Sequence, residues 1–185
     1  MVAAGEVLQA EVEAADSRAA AGFRRVVAAV SGAEAPGQAG NMKASDFLNR
    51  LEHDAIVKEI GIAEDKMRGE IRVFISRKET EDAVAAAQKM FHHLGMEKSP
   101  ERNGVLLFVA PRVRKFAVIG DSAVHERCGD KFWKEVTHEM SGHFGRGEFT
   151  EGIIHGVRRA GKLLADHFPR RPGDKKQEPG DIAHD

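Results

Sequence analysis

The sequence predicts an α/β fold, a three-layer α/β/α sandwich around a small mixed sheet of three to four strands, and three observations carry that prediction. Two apolar runs, residues 105–110 and 115–120, stand side by side with only residues 111–114 between them, enough for a hairpin and too little for a crossover helix. A period-two stretch, residues 69–76, precedes them. Apolar stripes at helical spacing lie on either side of these runs in the chain, so helices are available to cover both faces of a sheet.

Each element has its own local reason. Residues 1–42 are alanine-rich, and Leu8, Val12, Ala15, Ala19, Gly22 or Phe23, Val26 and Val30 recur at steps of three and four, which predicts a helical extension closed by Ser31-Gly32 and a linker. Ser45 is placed to cap a long helix reaching about Met67, with Leu48, Leu51, Ile56, Ile60 and Ala63 as its apolar faces. In residues 69–76, Ile71, Val73 and Ile75 alternate with Glu70, Arg72 and Phe74; the half-polar pattern predicts a strand toward the edge. Thr80, followed by Glu81 and Asp82, predicts a helix start, Val84, Ala87, Phe91 and Leu94 a buried seam, and Gly95 the end. Residues 105–110 are apolar on both faces, as expected of a strand with helices above and below.

Two further helices are predicted, one begun near Asp130 with Phe132, Trp133, Val136 and Met140 inward, the other carrying Phe149, Ile153, Val157, Ala160, Leu164 and Phe168 and stopped by Pro169. Gly147, Gly152, Gly156 and Gly161 fit close packing of that last helix, and Trp133 fits the core. Residues 170–185 combine charge with proline and glycine and predict a disordered charged tail, so the α/β domain is placed at 43–169.

Composition narrows the functional classes. With 185 residues and 42% hydrophobic content the chain is long enough for one real core. A net charge of −1 gives no argument for nucleic acid or an anionic membrane as partner. The single cysteine, Cys128, excludes an intrachain disulfide and reads as a small core residue. No run approaches the roughly 18 apolar residues of a membrane span. Arg24-Arg25 and the apolar residues behind them imitate an export signal, but Ser31-Gly32 cuts the apolar part short, so the cytoplasm is the expected location. His138 and His143 are five apart, outside the spacing that puts two ligands on one helical face, and His92 and His93 point apart; surface roles are expected for them.

Several motifs in order resemble one known family. Residues 69–73 (GEIRV), 102–107 (RNGVLL), Gly120-Asp121 and the stretch from His143 to Val157 are similar to the TPM-domain family, over residues 45–168. The resemblance implies an α/β/α sandwich, in agreement with the pattern. Its functional message is mixed: one plant member is described as an acid phosphatase, others bind calcium in loops at one end of the sheet, another is a receptor accessory protein. Many members carry an acid or amide ahead of the Asn-Gly pair, where this chain has Arg102, and a glycine-tyrosine-glycine loop where this chain has Gly120-Asp121-Ser122.

These considerations select one group of residues at the loop end of the sheet. Asp121 and His125 are the candidate catalytic pair, Asp121 as base or nucleophile. Arg102, Asn103, Glu70 and Arg72 are the candidate ligand-binding residues, and Asp121, Glu126 and Asp130 the candidate ligands of a hard cation, calcium being the ion the resemblance implies. The expected function is a soluble binding module that takes a small ligand, cation or protein partner at this loop end. The alternatives are a metal-assisted acid phosphatase using the same loops, and an interaction protein that docks or self-associates through residues 1–42. The readings that use the loop end require Asn103 and Asp121 to emerge on one rim.

Overall fold

A computed structural model describes residues 26–31, 43–174 and 182–185. Among these residues a five-stranded mixed sheet runs in the order β1-β4-β3-β2-β5, formed by β1 (Val26–Ser31), β2 (Glu70–Ile75), β3 (Gly104–Ala110), β4 (Lys115–Gly120) and β5 (Ile182–His184). The helices are α1 (Ala44–Asn49), α2 (His53–Glu64), α3 (Ala83–His93), α4 (Ser122–Gly145) and α5 (Phe149–His167). None of them is long and apolar enough to cross a membrane.

The expected hairpin joins β3 to β4. A single 3-10 turn, Pro111–Val113, and Arg114 in the left-handed region (φ 51°) reverse the chain, and the strands pair antiparallel from Val105↔Gly120 to Ala110↔Lys115. The step from β2 to β3 is parallel, Ile71↔Val105, and crosses over through α3, as parallel neighbours require. Asp82 rather than Thr80 starts α3, its carboxylate accepting from the amides of Val84 (2.9 Å) and Ala85 (3.0 Å).

All seven residues of β3 are buried, and the alternation of the pleat divides them between two cores. Val105, Leu107 and Val109 join Ile71, Val73, Phe116 and Val118 beneath α1, α2, α4 and α5. Leu106 and Phe108 join Phe74, Ala117 and Ile119 beneath α3, where the rings of Phe74 and Phe108 stack 5.8 Å apart. Trp133 is wholly buried, as expected. The small residues of α5 serve close packing: a Cβ at Gly156 would meet Leu107 Cδ2 and Met140 Sδ at 2.7 Å, and one at Gly161 would meet Ala63 Cβ at 2.6 Å.

The structure corrects four boundaries. Residues 26–31, expected as the end of a helix, form strand β1 antiparallel to β4. Local periodicity there is compatible with both elements, and the unpaired edge of β4 selects the strand because its N–H and C=O groups need partners. The remainder of the expected extension, residues 1–25 and 32–42, lies outside the described residues. The single helix expected from Ser45 to Met67 is two, broken at Arg50–Glu52, and Phe47 and Leu51 are both buried in the larger core; the Glu52 amide donates to Thr150 Oγ1 at 3.1 Å, and Phe47 lies 4.8 Å from the Phe149 ring. Helix α4 starts at Ser122, adding a first segment ahead of the one expected from Asp130; the non-helical Gly129 (φ 65°, ψ 179°) separates the two.

The last correction concerns the tail. Residues 182–184 are a strand parallel to β2, Ile182 being 6% exposed, and the Arg170 amide donates to Lys66 O at 3.2 Å. One apolar side chain and an open strand edge outweigh the polar composition there; residues 175–181 lie outside the described residues.

Replacing Gly156 by Val forces a branched side chain into Leu107 and Met140. The expected cost is about 1–3 kcal/mol, measured as a lowered urea midpoint at unchanged denaturant slope.

Candidate functional site

The hairpin register decides where the candidate residues stand. Val105 faces Gly120, so the residues just before β3 and just after β4 emerge together, and the Asp121 amide donates to Gly104 O at 2.9 Å. Asn103 and Asp121 therefore share one rim, as expected. Glu70 registers with Gly104 and stands at the same rim on β2.

Asn103 is 1% exposed and fully engaged there. Its Nδ2 donates to Arg68 O (2.8 Å) and Glu101 Oε2 (3.1 Å), and its Oδ1 accepts from Ser99 Oγ (3.0 Å). The amide thus ties the approach to β2 to the approach to β3, a structural role. Glu70 and Arg72, expected as ligand-binding residues or as solvated edge charges, form an ion pair with each other and stay partly exposed. That pair sits on the stretch of β2 beyond the reach of β5, where charged side chains discourage further strand addition.

Asp121 is the N-cap of α4 and has no exposed surface. Its Oδ1 accepts from the Ser122 amide (2.7 Å) and from Arg102 Nε (3.1 Å). Its Oδ2 is buried with no hydrogen-bond partner among the described residues. Arg102 reaches across by adopting a left-handed backbone (φ 52°), unusual for a residue with a Cβ, and its Nη1 donates to Glu97 O at 3.1 Å. This pair links residues nineteen apart, and the sequence carries no signal for it beyond two opposite charges at the two ends of a hairpin.

His125 follows one helical turn after Asp121; its Nδ1 is buried with no hydrogen-bond partner among the described residues, and its Nε2 is 3.9 Å from Asp130 Oδ1. Beneath the end of β4 lies Trp133. A Cβ at Gly120 would come within 2.3 Å of its Cζ2, so glycine is required there, and the indole Nε1 is likewise buried with no partner among the described residues. The structure thus adds Trp133, assigned from sequence to packing alone, to the polar atoms at this end.

The expected cation site does not assemble. Glu126 and Asp130 are exposed, and among the described residues no group of three or more His, Cys, Asp or Glu is placed to hold a metal ion. A hard cation needs six to eight oxygens with several carboxylates. Here Asp121 offers one oxygen, with a guanidinium already on the other. The residues do not fit calcium.

Burial, more than the nearby charge of Asp130, pushes the Cys128 thiol up to about 11, which leaves little thiolate near neutral pH. The histidines of the α4–α5 seam take glutamate partners, His143 Nδ1 lying 2.8 Å from Glu148 and His155 Nε2 2.6 Å from Glu139. Arg146 first and His143 second hold the Glu148 carboxyl down at about 2.

Two measurements check this site. Arg102→Ala leaves the Asp121 carboxylate buried without its cation and is expected to cost about 2–4 kcal/mol in urea unfolding, whereas Arg102→Gly, which relieves the left-handed backbone, costs about 1 kcal/mol less. At pH 7.5 alkylation of Cys128 by iodoacetamide is expected to run at least about 10-fold slower than that of an unperturbed thiol and to accelerate as pH rises toward 11. A normal rate at pH 7.5 contradicts the burial.

Comparison with known proteins gives the chain its relatives. No curated protein matches it. Among solved structures it is similar to the NMR structure of BA42 protein from the psychrophilic bacterium Bizionia argentinensis, with 33% sequence identity, 72% of this chain and 92% of that chain covered, and a TM-score of 0.67. The family model for the TPM domain matches residues 42–163, which hold most of both cores, the β3–β4 hairpin and the Arg102–Asp121 rim. The chain belongs to the TPM-domain family.

Proposed function

We propose that this TPM domain is a binding module whose contact point is the rim where β3 begins and β4 ends, and that its ligand is a small hydrogen-bond donor such as an amine or hydroxyl compound. One observation carries this reading: Asp121 is a buried carboxylate with one oxygen fixed by Arg102 and the Ser122 amide and the other without a partner among the described residues. Leaving a buried acceptor unsatisfied costs about 1–3 kcal/mol, so a donor admitted to Asp121 Oδ2 by local opening of the rim recovers that cost. His125 Nδ1 and Trp133 Nε1 add further polar atoms at the same end of the sheet. Because the cation set does not assemble, a calcium ion is not the occupant supported by this geometry.

The same open oxygen suits the second reading, in which Asp121 serves an acid phosphatase as base or nucleophile with His125 beside it. Against it stands Arg102, whose Nε and Nη1 are spent on Asp121 and on Glu97 O instead of on the equatorial oxygens of a phosphoryl group. Docking through the amino-terminal segment, the third reading, falls on residues 1–25 and 32–42, since 26–31 pair with β4. An unchanged mass in light scattering after deletion of residues 1–25 eliminates self-association through those residues.

The chain has one tryptophan, so its indole N–H resonance reports on this rim directly. Titration of the ¹⁵N-labelled full chain with ethanolamine is expected to shift the Trp133 indole and the amides of Ser122 and His125, and Asp121→Asn to weaken that response at least about 10-fold, a loss worth 1.4 kcal/mol. Silence of these resonances at millimolar ethanolamine, or an equal response in Asp121→Asn, sinks the binding proposal. Turnover of an aryl phosphate that Asp121→Asn abolishes replaces it with the phosphatase reading.

A further inference from the structure

The outer edge of β2 is filled by a segment of the chain's own carboxyl-terminal region. Residues 182–184 run parallel to β2 in the register Val73↔Ile182, Phe74↔Ala183 and Ile75↔His184. Two side chains hold the segment. Ile182 enters the larger core, 6% exposed, and Asp185 accepts from the Arg77 amide through Oδ1 (2.6 Å) while its Oδ2 lies 3.0 Å from Lys78 Nζ. Ala183 and His184 contribute backbone pairing and stay more open. Burial raises the Asp185 carboxyl, but the Arg77 amide and Lys78 outweigh it and hold the group below the usual carboxylate range, so it is charged whenever the segment is docked near neutral pH. On the other side of Val73, the Glu70–Arg72 ion pair ends the stretch of edge that can accept a strand.

The edge therefore presents three separate requirements: a parallel ladder opposite Val73–Ile75, an apolar recess for the first residue, and an amide and ammonium for an acid three residues later. We propose that this edge of β2 is a strand-acceptor site for an extended Ile-x-x-Asp segment, and that its occupant in trans is residues 182–185 of a second copy, giving a strand-exchanged dimer. A second copy carries the same segment, so its contacts in trans equal those seen in cis. What favours the cis arrangement is that the segment belongs to the same chain, which holds its local concentration at about the millimolar range. Little has to be undone to open it, since the ladder spans three residues and one side chain enters the core. Closed reciprocally, such an exchange is a two-fold arrangement that leaves neither β2 edge open. The Arg102–Asp121 rim lies at the other end of β2, where Glu70 registers with Gly104, so this inference stands apart from the binding reading above.

The test is sedimentation equilibrium of the full chain from about 10 μM to about 1 mM, bracketing the segment's local concentration. The expected result is a dimer whose share rises toward about half at the top of that range, falls when a synthetic peptide of residues 178–185 is added in excess, and disappears in Ile182→Asp. Should Ile182→Asp fail to fold, Asp185→Lys sets a second cation against Lys78 at a contact outside the core and is expected to abolish the dimer in the same way. A monomer throughout the range overturns the proposal. So does a dimer that survives the peptide or persists in a folded variant, because it is then built on another surface.

Discussion

Every residue of β3 is buried, and a strand in that position needs a ladder partner on each edge and apolar cover on each face. Most of the architecture follows from meeting those two needs. The edges are met by β4, which the short Pro111–Val113 turn lays antiparallel, and by β2, which the α3 crossover lays parallel. The faces are met by α3 on one side and by α1, α2, α4 and α5 on the other. The second side carries much the larger cluster, and small residues on α5 bring its backbone close enough for Leu107 and Met140 to fill the space beneath Gly156.

The rim chemistry is a consequence of the same hairpin. Where β4 ends, the chain turns into α4, whose first amides need an acceptor, and Asp121 supplies it. A carboxylate in so buried a place needs a counter-charge, and Arg102 reaches it from the other end of the hairpin by taking up a backbone conformation that costs energy for any residue with a Cβ. Asn103 is consumed in joining the approaches to β2 and β3. Polar residues that suggest a binding site in one dimension are thus largely occupied with holding the sheet's end together in three. The open oxygen of Asp121 and the buried nitrogens of His125 and Trp133 are what this structural use leaves over.

The outer edges of β2 and β4 are managed by different means. The beginning of β2 is guarded by the Glu70–Arg72 pair, its end by residues 182–184, and β4 by residues 26–31. In each place the unpaired backbone groups of an edge find either a strand or a charged side chain beside them, the two usual ways of keeping an edge from indiscriminate pairing.

The α/β class, the hairpin, the inward faces of α3 and α5 and the core role of Trp133 were legible in the amino-acid sequence, because each is set by the periodicity and turn chemistry of contiguous residues. The family was legible too, through motifs in fixed order. Tertiary structure alone decided that residues 26–31 and 182–184 are strands, that the helix expected from Ser45 breaks at Arg50, and that Arg102 meets Asp121 while Glu126 and Asp130 stay in solvent. The physical reason is the same in every case: an open strand edge, a recess against α5 or a buried carboxylate acts on residues distant in the chain, and local pattern records only what neighbours in sequence do to one another.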